Sequence, residues 1–169
     1  TIDNGSVKYA SVGLTSLNTM AYGRNFQVAV ISGGREMYRL YNPNSGEHFY
    51  TSGAEERDID VAAGWNYEGV GWIAPESGTP VFRMYNPVAG EHHYTTSQEE
   101  AAALVEAGWN LESDCAFYSA DAETGMPIYR LYNPNAFANN HHFTPSEDEV
   151  SFLEDAGWIF EGTAFYGVK

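Results

Sequence analysis

One sequence motif, written three times in the same order, limits what this chain can fold into more than any other feature. The segment Met37-Tyr38-Arg39-Leu40-Tyr41-Asn42-Pro43 returns as Val81-Phe82-Arg83-Met84-Tyr85-Asn86-Pro87 and as Ile128-Tyr129-Arg130-Leu131-Tyr132-Asn133-Pro134. Each is followed by a His-aromatic stretch: His48-Phe49-Tyr50-Thr51, His92-His93-Tyr94-Thr95 and His141-His142-Phe143-Thr144. An Ala-Gly-Trp triplet then closes the middle of each copy, at Trp65, Trp109 and Trp158. Tyr41 and Tyr85 are 44 residues apart, and Tyr85 and Tyr132 are 47 apart. Units this small cannot each bury an apolar face alone, so they must pool one core.

Within a copy the order reads strand, turn, strand, short helix, strand, strand. Tyr38 to Tyr41 alternates as a half-buried strand does. Asn42-Pro43-Asn44-Ser45-Gly46 is turn chemistry, because Pro fixes φ while Asn and Gly accept unusual angles. Ser97 to Gly108 is a helix in miniature, with Ser97 as cap, acids in the first turn and Gly108 as left-handed stop. Ser146 to Gly157 repeats that grammar and Ala54 to Gly64 follows it more loosely. Trp65 to Trp72 reads as a strand pair leading into the next copy.

The expected class is therefore mainly β with short helices, three repeats closed with pseudo-threefold symmetry. A β-trefoil-like body removes exposed sheet edges most economically, and a three-bladed propeller-like array is the alternative. The repeats run from about 36 to 80, 81 to 127 and 128 to 169, in a domain spanning 35–169. Residues 1–34 lack the motif and read as an N-terminal extension or the tail of a preceding domain, with strands at Lys8 to Val12 and Phe26 to Ile31.

A formal net charge of −15 sets the field against nucleic-acid phosphate and anionic lipid, which excludes both as partners. Cys115 is the only cysteine, so no internal disulfide forms. No run approaches the ~20 apolar residues of a membrane span. The opening Thr1-Ile2-Asp3-Asn4-Gly5 has neither an initiator Met nor a signal-peptide charge pattern, so the chain reads as a piece of a larger protein.

The blocks Tyr-Arg-Leu-Tyr-Asn-Pro-Asn-x-Gly-x-His-Phe-Tyr-Thr and Ala-Gly-Trp resemble a repeat family of unknown function in secreted bacterial and some fungal proteins. Such repeats sit beside cell-wall hydrolases, glycosidases or surface-anchored modules. The likeness covers about residues 36 to 169. It departs at Ala136-Phe137-Ala138-Asn139-Asn140, where the turn is longer and its Gly is missing. The resemblance implies an extracellular or cell-wall-associated accessory module, covalently linked to a neighbouring domain.

Recurrent positions read as scaffold. Arg39, Arg83 and Arg130 stay in step with Glu68, Glu112 and Glu161, one ion pair per repeat. Tyr41, Tyr85 and Tyr132 belong to the strand motif, and Trp65, Trp109 and Trp158 to the core. His48, His92 and His141 would form a three-His zinc site only if they met at the axis; a buried, hydrogen-bonded role is the expectation, with no metal or cofactor. Adjacent imidazoles such as His92 and His93 point to opposite faces and cannot chelate together. Positions that vary between copies are the candidate ligand contacts: Asn44, Phe49, Trp72, His93, Phe137, Asn139, Asn140 and His142. Aromatic platforms beside amides and imidazoles suit sugars.

Catalysis is not expected. The helix acids between Glu55 and Asp60, Glu99 and Glu106, and Glu147 and Asp155 read as solvated faces, and no nucleophile elbow, phosphate loop or dinucleotide fingerprint occurs. The sequence thus points to a non-catalytic module that binds a glycan or cell-wall polysaccharide through up to three weak, related sites. A structural or adhesive spacer binding a protein partner and a metal-stabilised scaffold are the other readings.

Overall fold

The computed structural model describes residues 33–135 and 141–169; residues 1–32 of the expected extension at 1–34 lie outside them. The first repeat comprises β1 (Gly34–Tyr41), β2 (His48–Thr51), α1 (Ala54–Ala62) and β3 (Asn66–Pro75). The second comprises β4 (Thr79–Asn86), β5 (Glu91–Thr95), α2 (Gln98–Glu106) and β6 (Asn110–Ser119). The third comprises β7 (Met126–Tyr132), β8 (His141–Thr144), α3 (Glu147–Asp155) and β9 (Ile159–Gly167). The protein is mainly β and built in three parts. Each repeat forms its own three-stranded antiparallel sheet, ordered β2-β1-β3, β5-β4-β6 and β8-β7-β9. The Tyr-Arg-Leu-Tyr strand is the middle one each time.

The strand pair expected after each helix is one long strand instead. Its glycines make bulges, not a turn. In β3, Arg39 pairs with Gly69 and Leu40 with Tyr67, so Glu68 is left over; Gly69 takes φ 100°. The register skips Glu112 and Glu161 at the same place in β6 and β9. A bulge re-aims the extra residue, and at this place in all three strands that residue is the glutamate; a second irregularity lies further along each strand, opposite Met37–Tyr38, Val81–Arg83 and Ile128–Tyr129.

The Ala-Gly-Trp triplet is a helix stop with a full set of hydrogen bonds. Gly64, Gly108 and Gly157 have φ of 101°, 96° and 94°. Behind them the Trp65, Trp109 and Trp158 N–H groups donate back to Asp60, Leu104 and Leu153 carbonyls at 3.0, 3.0 and 2.9 Å. This is the Schellman arrangement, in which only Gly tolerates the reversed angle and an apolar residue follows it. At the other end Ser97 and Ser146 accept from the Glu100 and Glu149 N–H groups at 3.1 Å each, whereas α1 starts at Gly53 with no side-chain cap.

Six aromatic rings, two from each repeat, form the centre. Tyr50, Tyr94 and Phe143 make one triangle, with centroids 5.8, 5.8 and 5.7 Å apart and rings nearly perpendicular. Trp72, Phe117 and Phe165 make the second, at 5.8, 5.6 and 5.2 Å. Within each repeat the two layers touch: Tyr50 on Trp72, Tyr94 on Phe117, Phe143 on Phe165. Edge-to-face pairs add about 0.5–1.5 kcal/mol beyond burial. Met37, Val81, Ile128 and Leu40 pack in one cluster with these rings, and they, Met84 and Leu131 are fully buried. One repeat alone would expose two sides of its rings.

Candidate functional site

Where one repeat meets the next, the same set of side chains assembles, and it does so at all three seams. Arg83 of the second repeat reaches its own bulge glutamate, Glu112, at 3.0 Å, and Glu56 on the first repeat's helix at 3.0 Å. Arg130 reaches Glu161 at 2.8 Å and Glu100 of the second repeat at 3.0 Å. Arg39 reaches Glu68 at 2.8 Å and Glu149 of the third repeat at 3.0 Å. Nε serves the bulge carboxylate and Nη1 the helix carboxylate in every case. The Nε contact of Arg83 is close but off the hydrogen-bond angle, so charge pairing is the better description of it.

The expected pairs of Arg39 with Glu68, Arg83 with Glu112 and Arg130 with Glu161 are thus present; the second carboxylate was not foreseen. Glu56, Glu100 and Glu149 are not solvated helix acids. Each stands three residues after its helix cap, and the spacing Thr-x-cap-x-x-Glu carries the signal. Thr51, Thr95 and Thr144 accept from the cap-residue N–H at 2.9, 3.0 and 3.1 Å, and Thr51 donates on to Glu56. The threonine relays a capping box, leaving the glutamate to cross the seam.

These groups line three clefts. The cleft between repeats 1 and 2 is about 210 Å³ and is bordered by Thr51, Glu56, Arg83 and Cys115. That between repeats 2 and 3 is about 180 Å³, with Thr95, Glu100, Arg130 and Glu161. That between repeats 3 and 1 is about 390 Å³, with Arg39, Glu68, Thr144 and Glu149.

Behind the clefts the imidazoles stack in pairs across the seams. His48 lies 4.5 Å from His142 and His141 lies 4.5 Å from His93, whereas His92 faces Phe49 at 4.7 Å. The recurrent histidines therefore belong to three separate seams and do not converge. Among the described residues no group of three or more His, Cys, Asp or Glu is placed to hold a metal ion. Burial, the neighbouring imidazole and the nearby guanidinium push His48 and His141 down to about 3. Glu100 is lowered to about 2 by the bond from His93, against burial, with help from Thr95 and Arg130. At Glu149 burial again opposes, but His142, Thr144 and Arg39 prevail and hold it at about 2.

Four of the expected ligand contacts are interior. Phe49, Trp72, His93 and His142 are 4, 3, 2 and 2% exposed. Trp72 is one vertex of the aromatic prism, while Phe49, His93 and His142 stand at one equivalent position and pack on Trp65, Trp109 and Trp158. At these four positions variation between copies marks where a symmetric core adjusts its volume, not a surface. Asn44 is exposed in the β1–β2 turn and borders none of the three clefts. Phe137, Asn139 and Asn140 lie outside the described residues.

No curated protein and no solved structure matches this chain. Residues 36–168, the three repeats together, match a family described as a domain of unknown function (DUF5648), and the chain belongs to that family.

Proposed function

We propose that this domain is a non-catalytic carbohydrate-binding module of a larger secreted or cell-wall-associated protein, with its ligand sites in the three seam clefts. The observation that carries the reading is the threefold recurrence of one cleft whose lining joins a guanidinium, the helix carboxylate and neighbouring hydroxyls, with the bulge carboxylate added in two of the three. Vicinal sugar hydroxyls donate to carboxylates and accept from guanidinium N–H groups, so such a lining complements a pyranose edge. Three shallow sites on one rigid body favour a polymer, which can engage more than one at a time. The net charge of −15 weighs against nucleic acid and anionic membranes as partners.

The state of the carboxylates supports a binding role over a hydrolytic one. A glycosidase needs a carboxylic acid that keeps its proton near neutral pH. Glu100 and Glu149 are held at about 2 and Glu56 below its usual range, each tied to an arginine. The finer architecture belongs to the same reading. Hydrogen-bonded ladders stay inside each repeat, which favours three blades round an axis over the shared barrel of a trefoil.

A glycan array and an insoluble-polysaccharide pull-down test the proposal. Retention of the folded domain, lost on Arg39→Gln, Arg83→Gln and Arg130→Gln together, is expected; a blank array with folded protein overturns it. One observation favours a protein-binding spacer as the second reading: Ile59 and Phe152, at 62 and 71% exposed, stand out on the outer helices. Ile59→Ser with Phe152→Ser would abolish that partner and leave glycan retention unchanged.

A further inference from the structure

Resting on the carbohydrate-binding reading above, we infer that the seam clefts select uncharged, donor-rich glycans and reject polyanionic ones. Each cleft is lined by one arginine and the helix glutamate that faces it; Glu161 and Glu68 join the lining of the second and third, while in the first Glu112 pairs with Arg83 without bordering the cleft. Arg39, Arg83 and Arg130 each have a carboxylate within 2.8–3.0 Å on one side and a second at 3.0 Å on the other. The guanidinium is over-neutralised before any ligand arrives. His48 and His141 add no charge to that balance, because both stay uncharged at neutral pH.

Hydrogen-bond polarity points the same way. An ionised carboxylate only accepts. The nearest hydroxyl in the first cleft is committed: Thr51 accepts from the Gly53 N–H and donates to Glu56. In the second and third clefts a ligand meets two carboxylates, acceptors only, beside one guanidinium, so donors on the ligand are favoured. Sugar hydroxyls and N-acetyl N–H groups do so. A uronate, sulfate or phosphate group brings further acceptors and negative charge up to two glutamates, inside a molecule of net charge −15. Like-charge juxtaposition of that kind is how interfaces discriminate.

The test reads the array in matched sets: each backbone as its uncharged, N-acetylated, carboxylated and sulfated form, at low and at physiological salt. Uncharged and N-acetylated members are expected to bind at least ~10-fold tighter than their acidic counterparts, a gap that narrows with salt as screening grows. Removing one carboxylate partner from each arginine with Glu68→Gln, Glu112→Gln and Glu161→Gln narrows it as well. The wild-type comparison stands even if that triple variant fails to fold. Equal or tighter binding of the acidic forms overturns the inference while leaving the binding reading intact. A blank array overturns the binding reading itself.

Discussion

The seam between repeats 1 and 2 and the seam between repeats 2 and 3 are built from equivalent strands and differ in two buried side chains, Phe49 against His93 and Tyr94 against Phe143. In the first, the Tyr94 hydroxyl donates to the Tyr50 carbonyl at 2.7 Å and accepts from the Tyr50 N–H at 3.1 Å. A phenol from the next repeat thus occupies the edge of β2 where a further strand would otherwise pair. Between repeats 3 and 1 the Tyr50 hydroxyl does the same for Phe143, at 2.8 and 3.1 Å, and also meets His142 Nδ1 at 3.3 Å. Between repeats 2 and 3 the equivalent ring is Phe143, which has no hydroxyl, and the Nδ1 of the buried His93 has no hydrogen-bond partner among the described residues. Threefold packing does not require threefold polar satisfaction. The aromatic triangle closes on shape alone, and the hydrogen bonds are fulfilled at two seams of three.

Acidification should produce the largest effect and should separate the seams. His48 and His141 bind a proton at about 6.5 when unfolded and at about 3 when folded. The unfolded chain therefore binds more protons between those values, and stability is lost as pH falls through that window, by up to ~5 kcal/mol per histidine. Glu100 and Glu149 act in the same direction between 4.5 and about 2. Both doubly imidazole seams involve repeat 3, so hydrogen exchange at pH 5 should loosen that repeat first. Denaturant titrations of His48→Gln with His141→Gln should give a much flatter pH profile; an unchanged slope would remove the histidines from the account.

Removing a hydroxyl comes next. Tyr50→Phe should cost about 3 kcal/mol, because it strands the Phe143 backbone pair and His142 together, and Tyr94→Phe about 2 kcal/mol. The order of the two is the sharper test, since a reversed order in equilibrium unfolding would contradict the role given to His142. The converse change, Phe143→Tyr, should supply the missing partner of His93 and raise stability by about 1 kcal/mol. A loss of stability would show that the third seam has no room for the oxygen. Smallest of all is Arg57→Ala. This guanidinium lies over Tyr38 at 4.5 Å on the outer surface and pairs with Asp58, away from any seam, and the midpoint of thermal unfolding should not move within error.

Much of this was legible in order and spacing. The Ala-Gly-Trp triplets announced helix stops because a reversed φ at Gly is a local requirement, readable without knowledge of neighbours. The recurrence of Arg with Glu announced a pair within the repeat. Its second partner was hidden because Glu56, Glu100 and Glu149 look like ordinary first-turn acids, and their partners are between 27 and 110 residues away. Trp72 was misleading for a related reason: unique in sequence among the copies, it fills the place that Phe117 and Phe165 fill elsewhere.

By itself the sequence determined the number of units, their local turns and caps, and the need for a common core, since these follow from periodicity, backbone angles and the area one unit leaves uncovered. Only the tertiary structure decided which arginine met which helix, that Phe49, Trp72, His93 and His142 lay inside, and that clefts formed at the seams. Those outcomes depend on which repeat stands beside which, and identical motifs carry no label for their neighbours.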